Sequence, residues 1–175
     1  LEGYLFPDTY QVDSGTTARD LVRRMLQRFE QVVDASLRSA AAEAGLDVHE
    51  LITLASIIER EAMRDDERAL ISGVFHNRLA QGVLLQADPT VQYVLGQDGS
   101  GGRWWKRDIN RSDLQTPSKY NTYVTGGLPP GPIAAPGLKS ITAAANPADT
   151  SYLFFVARGD GSHEFARTNE EHEVN

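Results

Sequence analysis

The 175-residue chain contains no cysteine and fewer basic than acidic residues. The absence of cysteine excludes a disulfide framework and thiol catalysis, and it suits either a cytosolic or a disulfide-poor extracytoplasmic setting. The formal net charge of -7 argues against nucleic acid as a partner, because Lys and Arg carry the affinity for phosphate backbones. The one stretch where aromatic and basic residues alternate, Trp104 to Arg107, is more typical of a surface loop or a sugar-stacking platform.

The sequence also lacks an apolar run of about 18 residues, the length that crosses a bilayer, and nothing in it resembles a signal peptide. We therefore expect the chain as given to be soluble. Its first residue is Leu1 rather than Met, which suggests a piece of a longer protein whose membrane anchor could have been removed. With 41% hydrophobic and 23% charged residues, the chain has ordinary globular composition and can form a real core.

The first half of the chain shows helix signals. They are capping residues, apolar residues at helical spacing, and glycines where helices stop. They predict four helices, which run from Thr17 to Val33, from about Asp34 to Gly45, from near Val48 to Ala62, and from about Asp66 to Leu79. The third start is well marked, because Asp47 and Glu50 form a capping-box pattern.

The middle of the chain is rich in loop residues. Residues 86–91 are polar with a proline, and a short helix is expected from about Val91 to Leu95. Residues 126–137 hold four prolines and four glycines, a content that excludes regular helix or a central strand. Such a segment is either a linker or a rigid ordered loop that walls a groove, and its flanking tyrosines favour the ordered loop.

The last part of the chain predicts one helix and a hairpin. The helix covers Leu138 to Ala145, the strands cover Tyr152 to Ala157 and His163 to Arg167, and the tail from Glu170 to Asn175 looks solvated. The predicted fold class is therefore α+β, with a helical N-terminal half, a loop-rich middle, and a C-terminal β-hairpin that adds to a small antiparallel sheet.

Glu59 stands at the end of a nearly unbroken apolar run that begins at Leu51. A carboxyl group partly stripped of water keeps its proton to higher pH, so Glu59 is a candidate general acid. The alternative is a charge that emerges where a buried helix reaches the surface. Glu61 lies about 200° away around the helix axis, so one of the two should face a cleft. We favour Glu59, which shares a face with Ser56.

Six segments in order along the chain resemble the endolytic murein transglycosylases of the YceG-like family. Each motif alone is weak, but together they span nearly the whole chain. The segments are Leu1 to Tyr10, Ala55 to Glu61, Gln86 to Val91, Tyr120 to Tyr123, Gly127 to Ile133, and Tyr152 to Ala157 with the following Gly159, His163 and Phe165.

This resemblance implies a lyase that cuts the β-1,4 bond between N-acetylmuramic acid and N-acetylglucosamine within peptidoglycan strands and leaves 1,6-anhydro ends. The family's catalytic Glu falls on Glu59 by its place in the helix motif. One such Glu suffices, because the muramic acid's own 6-hydroxyl is the nucleophile, and no metal or cofactor is required. Residues 1–175 would form a single catalytic domain without the family's membrane anchor and LysM-like lobe. The resemblance also implies a parent protein on the extracytoplasmic face of the cytoplasmic membrane, with cell-wall synthesis proteins as possible partners.

Supporting residues for substrate binding are predicted mostly on the loops. Gln86 and Asn121 can hold N-acetyl and hydroxyl groups, Tyr120 and Tyr123 can stack on sugar faces, and Asp88 can steady an oxocarbenium-like state. Each also has a structural explanation, since Asp88 precedes a proline and buried tyrosines usually belong to the core. Glu2 could reach the cleft or could cap a turn.

Two other classes of protein remain as alternatives. The first is a non-catalytic peptidoglycan-binding module in which Glu59 is only a polar anchor. The second is a zinc hydrolase, which has little support because the four histidines show no ligand spacing. Those histidines are His49, His76, His163 and His172.

Overall fold

The computed structural model describes residues 1–96, 105–106 and 108–175. Seven α-helices and two β-strands lie in this part of the chain. In chain order they are α1 (Ala18–Val32), α2 (Ala35–Glu43), α3 (Val48–Glu61), α4 (Arg68–Ala80), α5 (Asp88–Leu95), α6 (Leu138–Ala145), β1 (Phe154–Ala157), β2 (His163–Ala166) and α7 (Asn169–Val174). Short 3-10 turns cover Asp65–Glu67 and Asp113–Gln115. Within the described residues, no helix is both long enough and apolar enough to traverse a bilayer.

Local capping determines where the N-terminal helices begin. Thr17 and Asp20 form a complete capping box at α1, and Asp47 and Glu50 form one at α3. Helix α2 ends at Gly45, whose φ of +80° allows the left-handed turn that lets the next amide bond back to Ala41. These starts and stops agree with the sequence predictions.

Helix α3 is the centre of the core. All eight residues from Leu51 to Ile58 are buried, and the helix packs most extensively against α6, with α2, α4 and α5 also in contact. A helix that is apolar around most of its circumference belongs inside a protein. Its first and last turns emerge from the core, and the last turn carries Glu59 and Glu61.

The proline- and glycine-rich segment 126–137 is an ordered loop that packs on α3. The buried Ser56 hydroxyl accepts a hydrogen bond from the Ile133 amide at 3.0 Å and donates to the Thr53 carbonyl at 2.7 Å. Ile133 is fully buried. The loop is therefore a rigid part of the scaffold, and the linker interpretation does not apply.

The C-terminal strands form the predicted antiparallel hairpin, with Phe155 opposite Phe165 and Ala157 opposite His163. Within the described residues the sheet has these two strands only. The tail from Glu170 to Asn175 is exposed apart from the half-buried His172, in agreement with the prediction of a solvated segment. It forms α7, because the Thr168 hydroxyl caps the amide of Glu171, and α7 packs on both strands.

Candidate active site

A cavity of about 560 Å³ lies where the end of α3 meets α4, α5 and the hairpin. Its wall combines carboxyl, amide, guanidinium and phenol groups with apolar side chains. The lining residues are Glu61, Arg78, Leu85, Gln86, Asp88, Tyr123, Phe154, Phe155, Val156, Ala157, His163, Asn169 and His172. A volume of this size suits a bound small molecule or a short segment of polymer.

Glu61 is the carboxyl group that α3 presents to this cavity. It is half-buried and makes no hydrogen bond with any residue the structure describes. Burial, and next to it the negative charge of Asp88, raise the pKa of Glu61 to about 8, although Arg60 opposes the shift. Glu61 therefore keeps its proton at neutral pH, which is the state that a general acid requires.

Asp88 and Tyr123 form a second polar unit in the cavity wall. The Tyr123 hydroxyl donates to the Asp88 carboxylate at 2.6 Å. Burial is the largest cause that raises the pKa of Tyr123, followed by the bond to Asp88, so the phenol stays protonated as a donor. Asp88 begins α5, where Pro89 in the first turn and the preceding Ala87 place it at the cavity.

Gln86 and Arg78 are hydrogen-bonded to each other in the wall of the cavity. The Arg78 guanidinium is buried and donates to the carbonyls of Leu84, Leu85 and Leu153 and to the Gln86 side-chain oxygen at 3.2 Å. Burial lowers the pKa of Arg78 from its usual value. Gln86 has a φ of +52°, which is sparsely populated by residues other than glycine and marks a strained position beside the cavity.

Glu59 points to a different part of the molecule. Its carboxylate accepts hydrogen bonds from the Ser140 hydroxyl at 2.6 Å and the Gly137 amide at 3.3 Å, and the Arg68 guanidinium lies 3.6 Å away. Glu59 does not line the cavity. Helix α6 packs on the Glu59 side of α3, so the cavity contains Glu61 rather than the predicted Glu59.

Three of the predicted binding residues also lie apart from the cavity. Asn121 is fully buried, and its amide donates to the carbonyls of Leu114 and Thr116, so it holds its own loop. Tyr120 packs against Tyr93 with ring centroids 4.9 Å apart, and Glu2 accepts the Tyr93 hydroxyl at 2.7 Å. Of the predicted binding residues, the cavity contains Gln86, Asp88 and Tyr123.

The aromatic and basic stretch of the middle region is described only in part. Trp104 and Arg107 lie outside the described residues. The Trp105 ring lies 4.5 Å from the Arg60 guanidinium, and Tyr93 packs beside Trp105 with ring centroids 6.1 Å apart. This aromatic patch is located near the end of α3 but does not line the cavity.

The polar cavity residues that the sequence prediction did not assign to the site include Arg78, His163, Asn169 and His172. The His163 Nδ1 lies 2.7 Å from a Glu67 carboxylate oxygen, and the His172 ring stacks on Phe154 with centroids 5.2 Å apart. Thr168 followed by Glu171 is a capping pattern, and it predicts the helix that carries His172. No group of three or more metal-binding side chains is assembled within the described part of the chain.

Taken together, the fold and the cavity define an α+β protein with one desolvated carboxyl group in a polar pocket. The model of the YceG-like family matches residues 1–175, so the chain belongs to this family. It is similar to endolytic murein transglycosylases from Bacillus subtilis, at 40% identity over 98% of this chain and 46% of that protein, and from Streptococcus pneumoniae, at 35% identity over 100% of this chain and 31% of that protein.

A solved structure agrees with the fold. The crystal structure of a YceG-like protein from Listeria monocytogenes superimposes with a TM-score of 0.86 at 38% identity, and the match covers 98% of this chain and 53% of that one. The chain spans less than half the length of the Bacillus subtilis and Streptococcus pneumoniae relatives.

Proposed function

We propose that this chain is the catalytic part of an endolytic murein transglycosylase, and that Glu61 is its acid. The observation that carries the proposal is a half-buried carboxyl group, without a hydrogen-bond partner among the described residues, in a cavity that also holds the side chains of Gln86, Asp88 and Tyr123; burial raises the pKa of this group, Glu61, to about 8. The relatives that bear this name support the choice of peptidoglycan glycan strands as the substrate. Residues 1–175 act as a single catalytic domain in this proposal.

In the proposed reaction, Glu61 gives its proton to the oxygen that links N-acetylmuramic acid to N-acetylglucosamine, and the C1–O4 bond breaks. The resulting carboxylate takes the proton from the muramic acid's 6-hydroxyl, whose oxygen attacks C1. The products are a 1,6-anhydro end and a free 4-hydroxyl. An intramolecular nucleophile held beside C1 has a high effective concentration, so no activated water is needed.

The remaining cavity residues have supporting roles in this mechanism. Asp88, held by the Tyr123 hydroxyl, keeps negative charge near Glu61 and so favours its protonated form; the same charge steadies the oxocarbenium-like state. Gln86 offers amide groups for N-acetyl and hydroxyl groups of the sugar. Glu59 has a structural role in place of the catalytic one that its position in the motif suggests.

The wider setting is proposed on the same basis. The parent protein is anchored in the cytoplasmic membrane with this domain on the extracytoplasmic face, and it works beside cell-wall synthesis proteins. We assign the anchor to a part of the parent outside this domain; this chain covers 46% of the Bacillus subtilis relative.

The experiment is a matched pair of variants, Glu61→Gln and Glu59→Gln, incubated with purified peptidoglycan. Loss of a general acid costs roughly 10² to 10⁴-fold in rate, so E61Q should release almost no anhydro-ended fragments by mass analysis, whereas E59Q should release them at a rate near that of the unaltered chain. Both variants should still bind glycan strands.

Four outcomes would count against the proposal. Unchanged product formation by E61Q would eliminate Glu61 as the acid, and loss of activity only in E59Q would return the role to Glu59. Reducing ends instead of anhydro ends would indicate hydrolysis with Asp88 as a second carboxylate. Strand binding without any cleavage by the unaltered chain would favour the non-catalytic binding module.

A further inference from the structure

We infer that His163 is a further substrate-contacting residue. In the neutral ring its Nε2 accepts a hydrogen bond from a sugar hydroxyl in the cavity, and Glu67 is the positioning residue that fixes the ring for this contact. The inference rests on the proposed function, because it assigns a glycan to the cavity. It concerns a part of the wall that the single-carboxylate mechanism does not use.

The first support is the pairing of His163 with Glu67. One Glu67 carboxylate oxygen lies 2.7 Å from His163 Nδ1, and the other accepts the His163 backbone amide at 3.1 Å. The two hydrogen bonds that this carboxylate accepts from His163 fix both the position of the strand and the plane of the ring. A ring held this way is pre-organised for a bound ligand.

The second support is burial. The side chains are 6% exposed for His163 and 14% exposed for Glu67, and within the described residues Glu67 has no Lys or Arg at salt-bridge distance. A mostly buried carboxylate is costly unless its hydrogen bonds are satisfied. Here both satisfying groups belong to residue 163, so the carboxylate is committed to that histidine.

The third support is the tautomer that this pairing imposes. An ionised carboxylate can only accept hydrogen bonds, so the hydrogen shared with Glu67 belongs to Nδ1. In the neutral ring Nε2 then carries a lone pair and is an acceptor. Nε2 has no hydrogen-bond partner among the residues that the structure describes, and the ring lines the cavity.

The fourth support is the chemistry of the hairpin wall. The hairpin strands contribute five residues to the cavity, and His163 is the one among them with a polar side chain. The other four are Phe154, Phe155, Val156 and Ala157. A sugar ring presents apolar faces and hydroxyl edges, so a wall that offers apolar surface with a single fixed acceptor suits one face and one hydroxyl. The ring edge of His163 against Phe155, with centroids 5.4 Å apart, keeps that acceptor in place.

The decisive variant is Glu67→Gln, which retains the size of the side chain but changes its hydrogen-bonding pattern. The amide oxygen can still accept the His163 backbone amide, but the amide nitrogen is a donor and must face Nδ1. The ring hydrogen then moves to Nε2, and the acceptor becomes a donor. Nitrogen NMR of histidine-labelled protein should show the Nδ1-protonated tautomer for His163 in the unaltered chain and the Nε2-protonated tautomer in E67Q.

Binding is measured in the inactive Glu61→Gln background with purified peptidoglycan glycan strands as the probe. Adding E67Q or His163→Gln should each weaken binding by about tenfold, the size expected for one lost hydrogen bond. Glu43→Gln on the exposed end of α2 and His76→Gln on α4 are the matched controls, and neither should change the affinity.

The possible results separate this inference from the proposed function. Strand binding that is equal in E61Q, E61Q/E67Q and E61Q/H163Q overturns the role of His163 and leaves Glu61 untouched. An Nε2-protonated His163 in the unaltered chain also overturns it. If E61Q still cleaves strands, or does not bind them at all, the proposed function falls and the inference falls with it. Should H163Q fail to fold, the E67Q tautomer and affinity decide the question.

Discussion

The two acidic residues in the last turn of α3 are both half-buried but differ in the groups that surround them. Glu59 contacts a hydroxyl, a backbone amide and a guanidinium, a set of partners that suits a charged carboxylate. Glu61 makes no hydrogen bond within the described residues and sits beside the like charge of Asp88. If Glu61 is the acid that we propose, a separation of two positions on one helix is enough to produce one anchor of the fold and one proton donor.

The apolar helix that precedes the two residues does not by itself determine which carboxyl group lies in the cavity. Both residues emerge from the same apolar helix, so the preceding sequence affects them equally. What differs is the element that packs on each side, which is α6 with its buried Ser140 on one side and the cavity on the other. Burial raises the pKa of Glu61 on the cavity side, where it has no hydrogen-bond donor among the described residues, whereas Glu59 has the Ser140 hydroxyl and the Gly137 amide as donors.

The largest expected effect that sharpens the contrast is the pH dependence of activity. Glu61 must be protonated to act, and its pKa of about 8 sets the upper limit. Above that pH, the rate of strand cleavage should fall about tenfold per pH unit as the acid form disappears. A pH–rate profile measured on peptidoglycan checks this, and the E59Q variant should show the same upper limit. A rate that stays constant to pH 10 would contradict the assignment of Glu61.

The next effect concerns stability and also distinguishes the two acids. The folded protein keeps the Glu61 proton until about pH 8, whereas the unfolded chain loses it near the ordinary value of 4.5. The unfolded state therefore binds fewer protons between these limits, and the free energy of unfolding should decrease as pH rises from 4.5 to 8. Below pH 4.5 both states are protonated and the effect vanishes.

Glu61→Gln removes this pH-dependent cost. The difference in unfolding free energy between E61Q and the unaltered chain should shift in favour of E61Q by on the order of a few kcal/mol across that pH window. Urea unfolding at several pH values measures it. A flat curve for E61Q would mean that Glu61 is well solvated.

The smallest expected effect tests the anchoring side. The Ser140 hydroxyl is fully buried; it donates to Glu59 at 2.6 Å and accepts from Arg68 at 2.7 Å. Ser140→Ala should lower the free energy of unfolding by about 1 to 2 kcal/mol, because two charged groups each lose a partner. Thermal melting checks the change. Ser39→Ala on the exposed side of α2 is the control, and strand cleavage by S140A should stay near normal.

The elements of the fold with local signals could be predicted from the sequence. The capping boxes at Thr17 and Asp47 lie within four residues of the helices they start, and the hairpin turn is equally local. The family resemblance points to the last turn of α3 as the place of the catalytic acid, and this stays a prediction. These features need no knowledge of which distant segments meet.

The choice between Glu59 and Glu61 could not be made in the same way. It depends on Ser140, which is 81 positions from Glu59 along the chain, and the Glu67 pairing with His163 spans 96 positions. Helical geometry predicted correctly that the two acids point apart, but not which side faces the cavity. Asn121 shows a different limit, because a loop amide that could hold a sugar instead donates to carbonyls of its own loop in the interior.

The left-handed backbone at Gln86 has a consequence for the evolution and engineering of this protein. Any residue with a Cβ is disfavoured there by on the order of 1 kcal/mol or more, so glycine would be the easier choice for folding alone. Glycine, however, would leave Arg78 without its side-chain acceptor and the cavity without an amide. Selection for stability therefore favours glycine at this position, whereas selection for the side-chain contacts in the cavity favours glutamine.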